Sequence, residues 1–307
     1  MHDPTADFIM QTVCALLLSF GLWSNGDAVA PASPQDEDLG QTIERVSAKI
    51  QEEKSSRRSD LEVELACLYM KDQKEEEAFT TFLQALDEAP YEAYEHNPEE
   101  EEIYSKALKL YLEEVERPPG EVARELEGLL QPIIDEHPSY AFVRFILANA
   151  YANEGKWDLF FNNFYTAYKQ KRDSFLAFRT LGIMNIKLFE KARTLEAKED
   201  RRRKINSNLE RALSLYNEDS TLYKLLIIFS PLPERRHRVC EMIEKIINGN
   251  AVIARSQIPF YVHEALEAGD KELARRFLDK AATWYQYSRV IEEMRKVVQD
   301  DKISDDG

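Results

Sequence analysis

Glycine is scarce, with ten residues in a chain of 307. None falls in GxGxxG, GxxxxGK[ST] or GxSxG, so no loop is built to cradle phosphate or to expose a nucleophilic serine. Cysteine is rarer still. Cys14, Cys67 and Cys240 show no CxxC spacing and have no nearby histidine to complete a zinc set. Buried single thiols are the default for them, with a long-range Cys67–Cys240 disulfide as the alternative. The five histidines, His2, His96, His137, His237 and His263, form no HExxH and no metal or triad spacing. Neither a metal, a small-molecule cofactor nor catalysis is expected. Positive charge is in deficit too: a net charge of −16 argues against a nucleic-acid partner, because phosphate binding draws most of its affinity from cations. Alternating β-branched runs are missing, which leaves no material for a sheet.

What is present reads as helix. Hydrophobic residues make up 44% and charged residues 31%, the balance of a folded chain, and the abundant Ala, Leu, Glu, Lys and Arg are good helix formers. Charge is unevenly spread. Residues 34–140 hold 29 acidic against 11 basic side chains, whereas residues 141–215 hold 8 against 15. The second block includes Arg201, Arg202, Arg203 and Lys204. An acidic front and a basic middle suggest electrostatic steering of a partner with acidic groups toward that run. If repeats touch only their neighbours, the two blocks cancel only near residue 140.

Ile9–Trp23 is the one long apolar stretch. A bilayer span needs about 20 residues, whereas a signal-peptide core needs about 7–15. Small residues follow it, with cleavage expected after Ala28 or Ala32. Against export, residues 1–8 carry Asp3 and Asp7 and no basic side chain; an uncleaved membrane anchor and an apolar helix packed on the fold remain open. Residues 1–32 are therefore a signal- or anchor-like segment. Residues 33–58 follow as an acidic linker and a leading helix, with Ile43, Val46 and Ile50 on one face of 41–58.

An internal period organises the rest. In residues 59–92, Leu65-Ala66 and Tyr69 share one helix face, and Ala78, Phe82 and Ala85 share another. Lys71-Asp72-Gln73-Lys74 is the polar turn between them, and Pro90 closes the unit. These offsets resemble the tetratricopeptide repeat, in which a large aromatic precedes the first Leu; here Glu62 stands in that place. A second copy reads Leu147-Ala148, Tyr151, Phe164 and Ala167. In it Phe160 replaces a small residue and Arg172 replaces the closing proline. A third opens with Phe178, Leu181 and Gly182 and resumes at Leu209, Ala212 and Leu215. A degenerate fourth holds Tyr261-Val262, Ala265, Gly269-Asp270, Ala274, Leu278 and Ala281. Weaker helix pairs, 101–116 with 121–136 and 220–229 with 234–247, fill the intervals. Tyr285–Val298 reads as a capping helix before the acidic tail to 307.

The resemblance implies an all-α, right-handed superhelical solenoid of antiparallel helix pairs over residues 59–288. It also implies a non-catalytic scaffold whose first helices line a concave groove for a protein or peptide. Carried onto this sequence, the groove positions are Val63, Cys67 and Met70, then Phe142, Phe145 and Asn149, then Leu176, Arg179 and Ile183. Asn149 could hydrogen-bond a bound backbone or a neighbouring helix. Phe145 occupies the place where some members carry a carboxylate-gripping lysine, so that mode is not expected. Two settings remain open: an exported or envelope-associated bacterial binding protein, with membrane contact only through an uncleaved N-terminal segment, and a cytoplasmic secretion chaperone.

Overall fold

The computed structural model describes residues 36–112 and 120–300. The Ile9–Trp23 segment, Cys14, both candidate cleavage sites and the acidic tail lie outside the described residues. Among those described, fourteen α-helices and no strand occur, and no helix is long and apolar enough to cross a membrane. The chain divides into two compact units between Arg201 and Arg202.

In the first unit, α1 (Asp36–Glu52) begins before the expected helix and ends sooner. Glu53 Oε1 accepts from the amides of Lys54 and Ser55 at 3.0 and 2.9 Å, which diverts the backbone from a further turn. Its apolar face docks: Ile43, Val46 and Ile50 bury against Leu65, with Leu61, Leu68 and Tyr69 around them. The first repeat forms α2 (Arg57–Lys71) and α3 (Glu75–Glu88), packed as an antiparallel pair. Ala66, Ala78, Phe82 and Ala85 are fully buried, as a close helix contact needs. Ala78→Leu is expected to cost about 1–3 kcal/mol through overpacking, read as a lower urea midpoint. Glu62, in the place of the aromatic, is a buried carboxylate that accepts from Arg58 at 3.2 Å and Gln84 at 3.1 Å. Burial pushes its carboxyl above the usual range despite Arg58.

The hairpin turns carry the repeat more sharply than the side chains do. α2 ends with Gln73 at φ 58°, while α6 (Ala141–Asn153) ends with Gly155 at φ 71° before α7 (Trp157–Gln170). In the second unit, α12 (Ile258–Glu267) ends with Gly269 at φ 76° before α13 (Lys271–Trp284). All three turns use the same pair of bonds. Lys74 N–H, Lys156 N–H and Asp270 N–H each reach back five residues, to the carbonyls of Tyr69, Tyr151 and Ala265, at 2.9 Å. The left-handed residue itself donates three residues back, to Met70, Ala152 or Leu266. This is the Schellman closure of a helix, in which glycine avoids the steric cost of positive φ. Gln73 bears that cost, so Gln73→Gly is expected to raise stability by up to about 1 kcal/mol, measured by denaturant unfolding.

Between these copies lie α4 (Pro98–Leu112) and α5 (Glu121–Glu136). Asn97 opens α4 by accepting from the Glu99 amide at 2.9 Å, and acidic side chains fill the first turn, where the helix dipole favours them. The stacking order within this unit differs from the chain order. α4 and α5 pack on each other and on α6, as a serial solenoid requires. The α2–α3 pair instead packs against α7, and α3 also meets α8 (Phe175–Lys191). Phe82 sits among Phe160, Phe161 and Phe164 at centroid distances of 5.9, 4.5 and 5.9 Å, and Phe79 meets Trp157 at 5.8 Å. Ser59 and Tyr165 share a buried hydrogen bond of 2.7 Å between α2 and α7.

This folding-back corrects the charge reading. Lys71 pairs with Asp158 at 2.7 Å, Lys169 with Glu92 at 2.7 Å, and Lys191 with Glu75 at 3.7 Å. Lys169–Glu92 and Lys191–Glu75 thus join the basic block to the acidic one far from residue 140, while Lys71–Asp158 joins their minority charges. The basic run is also engaged: Arg201 donates to Asn185 Oδ1 at 3.1 Å, and none of Arg202, Arg203 and Lys204 is without a partner.

α9 (Leu195–Leu215) starts after a break at Ala192, carries the Leu209, Ala212 and Leu215 positions of the third copy, and runs across the division of the two units. In the second unit, α10 (Ser220–Ile228) is capped by Asp219, which accepts from Thr221 N at 2.9 Å. A 3-10 turn at Leu232–Glu234 leads to α11 (Arg235–Asn248), and another at Arg255–Gln257 leads to α12. The fourth copy fits its pattern, with Tyr261, Val262, Ala265, Ala274 and Ala281 fully buried. Lys224 lies 4.9 Å over the Phe260 ring, and burial pulls its ammonium down to about 8. The last described helix, α14 (Arg289–Asp300), packs on α12 and α13.

Candidate partner-binding site

The nine groove positions fall on α2, α6 and α8, the first helices of their pairs. Seven of them are not open to a partner. Val63, Cys67, Phe145, Asn149, Leu176, Arg179 and Ile183 are all buried; only Met70 and Phe142 are half-exposed. The α6 and α8 positions are covered because those helices meet each other and α4, whereas Val63 and Cys67 lie on α2, which packs on α1, α3 and α7. Asn149 donates to the Phe145 carbonyl at 2.8 Å and accepts from Thr180 of α8 at 2.8 Å. Arg179 donates to the Tyr111 hydroxyl of α4 at 3.0 Å, with its guanidinium 5.3 Å from that ring. Phe145 packs edge-on to Phe164 at 5.1 Å. Asn149 is thus spent on a neighbouring helix, and Asn149 and Arg179 tie α4, α6 and α8 together. Cys67 is a free buried thiol whose proton is held up to about 12, chiefly by burial; Cys240 is also free.

The two half-exposed members lie in different places. Met70 borders a recess of about 330 Å³ with Trp157 and Leu159, rimmed by the Lys71–Asp158 pair. Phe142 lies at the start of α6 beneath Tyr94, 5.5 Å away and edge-on, and Tyr104, 5.0 Å away. Glu100, one of the four glutamates that open α4, is fully buried here rather than solvated. Its Oε1 accepts from the Phe142 amide at 2.6 Å, and its Oε2 accepts from the Tyr94 hydroxyl at 2.9 Å. A carboxylate from α4 therefore caps the positive end of α6. Burial still pushes this carboxyl above the usual range, against the lowering effect of the hydroxyl and the amides.

A raised carboxyl binds its proton more tightly in the folded chain than in the unfolded one. Stability contributed here is therefore lost as pH rises from the ordinary glutamate range through the raised value. Glu100→Gln keeps an acceptor for the amide and removes that titration. The variant is expected to show a flatter dependence of unfolding free energy on pH between acid and neutral than the parent, measured by urea titration across that range.

Sequence reasoning missed Glu100 because a run of four glutamates reads as a solvated first turn. The available signal was Tyr94 six residues before it, a hydroxyl donor in the connection that leads into α4. Among the described residues the histidines form no metal cluster. His96 lies 3.6 Å from Glu101 at the surface, and His137 stacks on Tyr140 at 4.7 Å. Among the described residues no group of three or more His, Cys, Asp or Glu is placed to hold a metal ion.

No protein-family model matches the sequence, and no curated protein matches it. Among solved structures, the chain is similar to a tetratricopeptide repeat protein from Parabacteroides merdae. The identity is 14% and the TM-score 0.24, with 87% of this chain and 94% of that one covered. So loose a superposition carries nothing about function. The tetratricopeptide-like character rests on the chain's own repeated hairpins.

Proposed function

We propose that this protein is a non-catalytic scaffold that binds a protein or peptide partner, and that it is exported or envelope-associated. The observation that carries the reading is the recurrence of one hairpin: the same left-handed turn and the same reach-back bond close α2, α6 and α12. Repeated hairpins of this kind cannot bury their apolar faces singly, so they stack into surfaces suited to recognising other chains. With seven of the nine first-helix positions buried, we place partner contact at the ends and edges of the pairs, with the half-exposed Phe142 as its first candidate. Export is supported by the Ile9–Trp23 core with small residues after it. The lack of any basic residue in positions 1–8 favours the second reading, a cytoplasmic secretion chaperone.

The test is cross-linked capture from the source cell with the tagged full chain and with Phe142→Ala. A scaffold should retain a defined protein that the variant loses at unchanged helicity. A set of captured proteins identical for both would contradict recognition at this position. Mass spectrometry of the mature N-terminus, together with cell fractionation, tests the setting. Loss of the residues through Ala28 or Ala32 supports export, an intact N-terminus in the membrane fraction supports an uncleaved anchor, and an intact N-terminus in the soluble cytoplasmic fraction supports the chaperone.

A further inference from the structure

The connection between α3 and α4, residues 89–97, contains no helix and lies on the C-terminal end of α7. Three cationic residues at and just past that end, Lys169, Lys171 and Arg172, meet the connection. Lys169 pairs with Glu92 at 2.7 Å, and its carbonyl accepts from the Glu92 amide at 2.9 Å. Lys171 Nζ stands 5.5 Å over the Tyr94 ring. Arg172 donates to the Ala89 carbonyl and faces the Tyr91 ring at 5.9 Å. Each cation also rests on a ring of the α6–α7 body: Lys169 on Tyr165 at 5.1 Å, Lys171 on Phe142 at 5.9 Å and Arg172 on Tyr168 at 5.5 Å. The cations are therefore held in place whether or not the connection covers them.

We propose that the end of α7 is a docking shelf for an acidic, tyrosine-bearing peptide segment, and that residues 89–92 occupy it as a built-in competitor. The chemistry of the occupant is read from the segment already seated there: an aromatic ring for Arg172, a carboxylate for Lys169, and a main-chain amide for the Lys169 carbonyl. The competitor is held at its two ends, through Ala89 and Glu92, and exposed between them. Tyr91 is 70% exposed, and its half of the connection has no helix to melt before it leaves. The other half stays anchored, because Tyr94 is bound to Glu100 and Asn97 donates to the Tyr140 hydroxyl at 3.0 Å. Release of residues 89–92 would uncover two cations, Lys169 and Arg172, and the rings of Tyr165 and Tyr168 beneath them, without disturbing Lys171 or the cap of α6. Attraction between such a shelf and an acidic segment is screened by salt.

The proposal deepens the scaffold reading by naming the partner's chemistry. Its test uses the chain's own peptide, so failure here leaves partner capture unaffected, and failure of capture leaves the shelf untouched. A dye-labelled peptide of residues 88–95 is titrated by fluorescence anisotropy onto the full chain and onto the Tyr91→Ser, Glu92→Ser variant. A tethered competitor acts at an effective concentration in the millimolar range, so the variant should bind at least about tenfold tighter than the parent. Binding should weaken at high salt and disappear when Lys169→Ala and Arg172→Ala are added. Equal affinity for parent and variant, or a scrambled peptide of the same composition binding as well, would overturn the proposal. If the variant does not fold, hydrogen exchange on the parent decides. The Glu92 amide should exchange far faster than the α6 and α7 amides, and exchange only with global unfolding would overturn the built-in competitor.

Discussion

Phe82→Ala is expected to lower the unfolding free energy of the first unit by about 3–5 kcal/mol, the range for emptying a buried aromatic site. The ring is fully buried and lies within 6 Å of three other phenylalanine rings, all on α7. Its loss removes contacts on both sides at once: the α2–α3 hairpin loses its central filler, and that hairpin loses its main purchase on α7. The neighbours are themselves large and packed against one another, which limits collapse into the void. Phe82→Leu refills most of the volume and should recover a substantial part of the loss. Urea unfolding of the full chain, followed by circular dichroism, measures both, and because the chain has two compact units the transition of the first must be resolved from that of the second. A cost near zero for the alanine variant would mean that the rings of α3 and α7 are not in contact.

Phe145→Ala is expected to be comparably severe, again about 3–5 kcal/mol, although the sequence places it in a binding groove. The side chain is fully buried and edge-on to Phe164. One turn along, the carbonyl of residue 145 anchors the Asn149 amide whose oxygen is tied to Thr180 of α8. Removing the ring loosens the seam between α6 and α8 and the aromatic layer beneath it. Phe142→Ala, at the half-exposed end of the same helix, should cost much less. A double-mutant comparison by urea unfolding checks the contrast. If Phe145→Ala leaves stability unchanged and weakens a partner instead, the groove assignment from the repeat pattern was right and the seam is not what this ring serves.

The pattern residues themselves were legible because each has a local cause. Small residues at 66, 78 and 85 permit close helices, and the polar turn at 72–74 follows from composition. The all-α, tetratricopeptide-like pairing read from them holds in the structure. The stacking order was not legible, because periodicity reports which face is apolar and not which helix covers it. Two departures from the pattern nevertheless carried the information. Phe160 is large where the repeat wants a small residue because α3 lies against it through Phe82, and Arg172 replaces the closing proline because its guanidinium binds the Ala89 carbonyl. Glu62 is a third departure, a buried carboxylate inside a polar bridge between α2 and α3. The groove failed for a related reason: an exposed first-helix face and one sealed by its neighbours have the same composition when the seal is made by Asn149, Thr180, Arg179 and Tyr111.

The first hairpin packs back on α7 and α8 rather than in series with α4 and α5, and zero-length carbodiimide cross-linking reads that arrangement directly. At high dilution, mass spectrometry of the monomer should find Lys71 joined to Asp158, Lys169 to Glu92 and Lys191 to Glu75, pairs that stand within 3.7 Å. The local pairs Lys106–Glu102 and Lys245–Glu241, at 2.7 and 2.8 Å, serve as the internal control for reactivity. Control links present with the three long-range links missing, or links joining α3 to α4 and α5 in their place, would contradict it.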